Sequence, residues 1–313
     1  MDERPQYVYG PVPSRRLGRS LGVDLIPFKT CTYDCVYCQL GRTTNCTLRR
    51  REYVPVDAVL ADVERRLAEL DAPPDYVTLA GSGEPTLHSR LGDLVTEIRR
   101  RTGVPVAVLT NGSLLSEPAV ADAVAGADLL VPSLDAGTAV MWRRVNRPHP
   151  DLDWETMLEG LGRFDGDFAG EVWLEVMLLQ GLTGTETEVS AISMLARRIG
   201  PDRIQLNTAV RPAAEEGIRP VPRERLEALA RRFDPAAEVV AEFRPSAEGT
   251  AAATAEEVLQ LLRRRPCSAK DVADGLGIPP NEALKSIDEL LAAGRARAER
   301  RDAGVFYNAT EER

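Results

Sequence analysis

Cys31-Thr-Tyr-Asp-Cys-Val-Tyr-Cys38 is the stretch on which the reading of this sequence turns. Three of the chain's five cysteines fall within these eight residues, spaced C-x3-C-x2-C. Thiolates are soft ligands, and a compact loop of them selects zinc, copper(I) or an iron–sulfur cluster. A structural zinc site is closed by four ligands, usually two pairs. Here there is one triplet, and Cys46, Cys267, His88 and His149 complete no second pair. Three thiolates suit a 4Fe-4S cube with one iron left open to a ligand. The loop therefore reads as chemistry more than as a staple.

Outward from the loop, further stretches stand out. They are Gly10-Pro-Val-Pro-Ser-Arg-Arg-Leu-Gly18, Gly81-Ser-Gly-Glu-Pro85, Thr110-Asn-Gly112, Ser133-Leu-Asp135 and Asn146-Arg-Pro-His149. Together with the cysteine spacing and Tyr37 before its last cysteine, they resemble the radical S-adenosylmethionine (SAM) superfamily. Within it they resemble the wyosine tRNA-base synthase-like group of Fe-S oxidoreductases. The resemblance implies a 4Fe-4S cluster on Cys31, Cys35 and Cys38, whose fourth iron chelates the amino and carboxylate groups of SAM. One-electron reduction then breaks the sulfonium S–C5′ bond, and the 5′-deoxyadenosyl radical takes a hydrogen atom from substrate. An external electron donor of flavodoxin or ferredoxin type follows.

The same resemblance assigns the SAM contacts. Gly81, Ser82, Gly83 and Glu84 border the cofactor, with Glu84 accepting from its ammonium. The family's usual form has two adjacent glycines before the glutamate, and here Ser82 separates them. Ser133 and Asp135 match positions that touch the ribose and carboxylate. Asn111 bonds the ligand or holds its own turn. Tyr37 lies near the adenine edge, and Val210 to Pro212 close over it. Wyosine synthases carry a second cysteine triplet, which is absent here and is the main departure from that activity.

Other candidates are polar residues near strand ends. Arg15 and Arg16 are either part of a solvated arm or an anion clamp, since guanidinium forks match carboxylate and phosphate. Arg147 and His149 sit in a polar loop and are candidate substrate contacts, because loops at the ligand face carry function. Glu175, if it points inward, must be paired or protonated, and is a candidate substrate or SAM ligand. Cys46 could be a second-cluster ligand, a thiyl donor or a small core residue. Cys267 reads as structural.

Composition sets the frame. At 313 residues the prior is one large or two small domains. Hydrophobic residues make up 43%, enough for a core. No apolar run approaches the ~20 residues of a membrane helix, and Met1-Asp-Glu-Arg-Pro5 has no signal-peptide pattern. The expectation is a cytoplasmic protein without a membrane partner, where thiols stay reduced. The net charge of −9 weakens a nucleic-acid role without excluding a local basic patch.

Strand and helix patterns alternate six times, with strands at 21–27, 76–80, 104–109, 128–134, 171–179 and 203–207. This predicts an α/β fold with a parallel sheet, and the resemblance favours a partial (β/α)6 barrel. Ligands then bind at the carboxyl ends of the strands, where every quoted motif past the cysteines falls. Residues 1–233 form the expected core with its N-terminal arm, and 234–253 a linker. Residues 254–313, with three helices and a β-hairpin, resemble a winged helix-turn-helix. Its third helix carries Glu282, Asp288 and Glu289 against Lys285, which disfavours base readout. Three functions remain open: radical modification of a tRNA base or protein side chain, a small-molecule radical enzyme, and a cluster-bearing regulator on DNA.

Overall fold

The computed structural model describes residues 7–14, 16–164, 168–240, 254–301 and 304–310. Arg15 and residues 241–253 of the expected linker lie outside that set.

The chain opens with a hairpin of β1 (Val8–Ser14) and β2 (Gly18–Asp24). A two-residue parallel ladder of β3 (Thr30–Cys31) and β4 (Asn45–Cys46) follows. Then come α1 (Val56–Ala68), β5 (Tyr76–Ala80), α2 (Leu91–Thr102), β6 (Val106–Thr110), α3 (Pro118–Val124) and β7 (Leu129–Pro132). After these run α4 (Ala139–Val145), α5 (Trp154–Leu161), β8 (Glu171–Leu178), α6 (Glu186–Ile199), β9 (Arg203–Thr208), α7 (Arg223–Ala230) and β10 (Glu238–Val239). The main sheet has eight strands in the order β1-β2-β5-β6-β7-β8-β9-β10. β1 is antiparallel to β2, and every other pairing is parallel. This mixed α/β fold with a parallel central sheet is consistent with a partial barrel.

Parallel strands covered on both faces read as near-continuous apolar runs, and β7, buried at all four positions, does so. The helices face the sheet with one stripe. In α2 the residues Leu91, Leu94, Val95 and Ile98 recur at i, i+3, i+4 and i+7, and all are fully buried. Each contributes about 1.5–3 kcal/mol by leaving water, an upper figure because the unfolded chain is already partly compact.

One local expectation needs correction. The described part of the N-terminal arm, from Tyr7, is not a solvated tail: β1 is a sheet strand, Val8 is buried, and Val12 packs on the C-terminal apolar cluster. α1 has Pro55 as its N-cap with no side-chain bond, and Asp57 lies in its first turn. α5 stops at Leu161 and tightens into a 3-10 turn, Gly162–Phe164. α4 was not anticipated. It is short and its arginines read as loop, yet Trp142 packs edge-on against Tyr33 of the cysteine loop, centroids 5.9 Å apart.

Beyond the main sheet lie α8 (Ala255–Arg264), α9 (Ala269–Leu276) and α10 (Pro280–Ala292), then the antiparallel pair β11 (Ala296–Arg301) and β12 (Gly304–Ala309). Thr254 and Ser268 close capping boxes with Glu257 and Asp271. The unit has its own apolar cluster, including Val258, Leu262, Val272, Ile287 and buried Cys267. It touches the sheet at polar points. The Arg264 guanidinium lies 3.5 Å from the Tyr9 ring centroid, and its Nη1 is 3.5 Å from Asp24 Oδ2.

Candidate active site

The cysteine loop is held by backbone bonds on both sides. β3 pairs with β4, with Cys31 opposite Cys46. On the other flank Val36 N donates to Val145 O at 2.9 Å, and His149 N to Thr32 O at 2.8 Å. Residues 145–149 thus run beside the loop as a splint. Inside it, Cys38 N donates to Cys35 O and Gly41 N to Cys38 O, each at 3.1 Å. These turns bring Cys31, Cys35 and Cys38 onto the wall of one cavity of about 330 Å³.

Above the carboxyl ends of β5, β8 and β9, the same cavity is lined by Gly81, Ser82, Gly83, Glu175, Met177, Asn207 and Val210. Tyr37 and Arg16 also face it. The glycine turn is tied down rather than free. Ser82 N and Oγ donate to Asp24 at 3.0 and 2.6 Å. A Cβ on Gly83 would collide with the Thr30 carbonyl. The glycine is needed there for close approach of the chain's own strand, a different reason from the ligand approach expected from sequence.

Four expected SAM contacts lie one layer below the cavity wall. Buried Glu84 accepts at Oε1 from Thr86 Oγ1 (2.7 Å), Thr86 N (3.1 Å) and Thr110 Oγ1 (2.6 Å), and at Oε2 from Asn111 N (2.8 Å). Three of these donors converge on Oε1, and Oε2 accepts one. Asp135 accepts from the Tyr37 hydroxyl, from Asn146 Nδ2 at 2.7 Å and from Met177 N at 2.9 Å. Ser133 makes a bridge to Glu175 in the sheet. Asn111 Nδ2 donates to Thr32 Oγ1 at 2.7 Å and lies 3.6 Å from Cys31 Sγ.

The other candidates divide. Arg16 Nη1 pairs with Glu175 Oε2 at 2.7 Å, and Asn207 Nδ2 donates to Glu175 Oε1 at 3.0 Å. This resolves the expectation that an inward Glu175 needs a partner. Arg147 pairs with Glu215 at 2.5 Å, outside the cavity lining, and His149 faces Asp151. Cys46 is exposed and its Sγ points at Thr32 O, 3.7 Å away. Sequence reasoning passed over Lys29 and Asn207 as cavity residues, while Arg211 lies within the expected 210–212 stretch. Asn207, as the polar residue near the carboxyl end of β9, was the one with a usable signal.

Burial holds the cavity's thiols and Asp135 toward their neutral forms. Burial pushes the Cys31 thiol up to about 12, with the Glu84 charge adding to the rise. Burial, then Asp135, holds Cys35 well above the usual thiol range. Burial also raises Cys38, with the Lys29 ammonium opposing it. Burial lifts Asp135 to about 6 against its three hydrogen bonds. Among the described residues no three His, Cys, Asp or Glu side chains converge as on a single metal ion. Three thiols spread around one cavity instead suit a cluster of several irons, and the donor set fits it.

The model of the Radical SAM superfamily matches residues 25–191. A protein of Brachyspira hyodysenteriae called GTPase Obg is 36% identical over 93% of this chain. A UPF0026 protein of Methanocaldococcus jannaschii is 40% identical over 68% of it. The chain spans 43% and 66% of those two proteins' lengths. A UPF0026 protein of Helicobacter pylori is 32% identical, over 92% of this chain and 93% of that one. Among solved structures, a radical SAM methyltransferase from Sphaerobacter thermophilus aligns with TM-score 0.53 and 17% identity, over 70% of this chain and 66% of that one. TYW1 with a lysine-pyruvate adduct bound aligns with TM-score 0.50 and 21% identity, over 70% and 74%. At those identities the structures speak for the fold alone. The chain belongs to the radical SAM superfamily, in the family of the UPF0026 proteins. It carries a radical SAM enzyme domain whose cofactors are a 4Fe-4S cluster and SAM. The GTPase name does not transfer, because none of the three lysines follows a glycine as a phosphate-binding G-x4-G-K-[ST] loop requires.

Proposed function

We propose that this protein is a radical SAM enzyme that modifies a macromolecule, a tRNA base or a protein side chain. The observation that carries the reading is the meeting of Cys31, Cys35 and Cys38 with the Gly81-Ser-Gly83 turn around one cavity at the strand carboxyl ends. When bound, the cluster and SAM supply a 5′-deoxyadenosyl radical for hydrogen abstraction. In this reading the three cysteines hold three irons. Gly81, Ser82 and Gly83 line the methionyl end, and Tyr37 and Val210 border the adenine. Glu84, Asn111, Ser133 and Asp135 hold those residues in place from below. Arg16 and Glu175 present a paired charge to the substrate side, and the Arg147–Glu215 pair fixes the rim.

The cavity's volume favours a presented substrate. About 330 Å³ lies near the lower bound of ligand pockets. The cluster and SAM together leave little of it free, so the substrate enters as a protruding group at the mouth. This suits a base or side chain of a larger partner, as in the wyosine-type tRNA enzymes. The alternative is a small-molecule substrate. The unit at 254–313 we read as a winged-helix-like docking module, separate from the core at 1–233 and joined through 234–253. Its acidic α10 face argues against DNA base readout. A flavodoxin- or ferredoxin-type donor and a cytoplasmic setting complete the reading. No helix among the described residues is long and apolar enough to cross a membrane.

The test is anaerobic reconstitution with iron and sulfide, then reduction with SAM, assaying 5′-deoxyadenosine with and without bulk tRNA. Nucleoside release supports the radical reading, and stimulation by tRNA supports base modification. A full, reducible cluster with no nucleoside under either condition counts against it.

A further inference from the structure

Of the chain's 39 basic residues only three are lysines. Lys270 and Lys285 are exposed on α9 and α10, and Lys270 pairs with Asp274. Lys29 lines the cavity. In a chain that otherwise uses arginine, this position holds a compact ammonium with three rotatable donors.

The backbone is set for it. Lys29 has φ 59°, a left-handed conformation that residues with a Cβ rarely adopt. Three bonds pin it there. Its N–H donates to Ser82 O at 2.7 Å, and its carbonyl accepts from Thr44 N at 3.2 Å and Asn45 N at 3.1 Å. Strain of this kind survives where surroundings over-determine it, and it clusters at ligand clamps. The side chain then runs past the Phe28 ring and over Gly41. A Cβ on Gly41 would come within 3.2 Å of Nζ, so the glycine leaves room for the ammonium.

The charges lining the cavity are unevenly matched. Arg16 is neutralised by Glu175 at 2.7 Å, and Arg211 meets Asp271 at 3.5 Å. Lys29 has no carboxylate within ion-pair distance among the described residues. It borders the cavity beside Gly41.

We propose that Lys29 forms an oxyanion site that binds a carboxylate or phosphate of the cavity's ligand. The proposal rests on the radical SAM reading for the identity of the cofactor. Two sources carry that chemistry: the methionyl carboxylate of SAM, and an anionic group on the substrate.

The experiment compares wild type, Lys29→Gln and Lys29→Arg as reconstituted holoproteins with matched iron content and folded-state spectra. Each is titrated calorimetrically with SAM, with decarboxylated SAM, and with inorganic phosphate at saturating SAM. Loss of a charge-assisted contact weakens binding by about tenfold or more. If SAM supplies the anion, Lys29→Gln loses SAM affinity while decarboxylated SAM binds as to wild type. If the substrate supplies it, SAM affinity is kept and phosphate affinity is lost. In either case Lys29→Arg recovers part of the loss, which a purely structural role would not give. Unchanged affinities for all three probes in Lys29→Gln overturn the proposal. So does a shifted cluster potential with no affinity change, because the charge would then serve the cluster. A wild type that takes up no cluster or binds no SAM refutes the cofactor reading instead. Phosphate titration of the cluster-free protein then decides the anion site by itself.

Discussion

The side-chain amide of Asn146 points at Cys35, with Nδ2 3.5 Å from Sγ. Asn111 stands the same way to Cys31 at 3.6 Å. Hydrogen bonds to cluster sulfurs favour the reduced, more negative state and raise the potential. Asn146→Leu is expected to make the reconstituted cluster harder to reduce. A bond worth ~1 kcal/mol corresponds to about 40 mV for one electron. Redox titration followed by electron paramagnetic resonance measures it. A potential equal to wild type would remove Asn146 from any electronic role.

The cysteines are expected to separate sharply. Cys35→Ala loses the cluster and all 5′-deoxyadenosine formation while the chain stays folded, because the thiol makes one of the cavity's walls. Cys46→Ala, exposed and outside the lining, keeps iron content and nucleoside yield within error. Iron and sulfide analysis beside circular dichroism checks both. Loss of cluster in Cys46→Ala would reassign that thiol as a ligand.

Glu84 is expected to act on stability. Removing its carboxylate strands the donors of Thr86, Thr110 and Asn111 in a buried place. Glu84→Ala should cost about 3 kcal/mol in urea unfolding, the scale of one or more buried groups left unpaired. Glu84→Gln, which keeps an acceptor oxygen, should cost less. Equal stability of Glu84→Ala and wild type would contradict the buried network.

Ser268→Ala is expected to loosen α9 by ~1 kcal/mol, the usual worth of an N-cap. Burial opposes the charge on Asp271, but the Ser268 bonds and Arg211 outweigh it and lower its pKa. A lowered folded value stabilises above the unfolded pKa and is lost as pH falls through the folded one. The Ser268→Ala deficit should therefore shrink in acid. Hydrogen exchange of the α9 amides across pH reads this directly.

Much of the site was legible because its chemistry is local in sequence. The C-x3-C-x2-C spacing, the glycine turn after β5 and the polar ends of the strands are short patterns with few alternatives. The sheet was legible for the same reason, through alternating apolar runs. What escaped depends on contacts distant in the chain. β1 is a strand only because β2 pairs with it and the C-terminal cluster covers Val12. Asp135 and Glu84 carry acidic residues at ligand-facing strand ends. Only the fold shows that Tyr37, Asn146, Thr110 and Asn111 already donate to them. Lys29 gave no signal, since a positive φ cannot be read from a lysine.

The Arg264–Asp24 contact bears on how the core could be isolated. Asp24 also accepts from Ser82 N and Oγ. Trimming the chain ahead of residue 254 would expose that carboxylate and the Tyr9 ring together. A shortened protein that fails to take up SAM would then have lost a buttress, and its silence would say nothing about whether the missing segment recognises substrate. Separating those two effects requires changes to the exposed residues of α10, such as Glu282 and Lys285, with the Arg264 contact of α8 left intact.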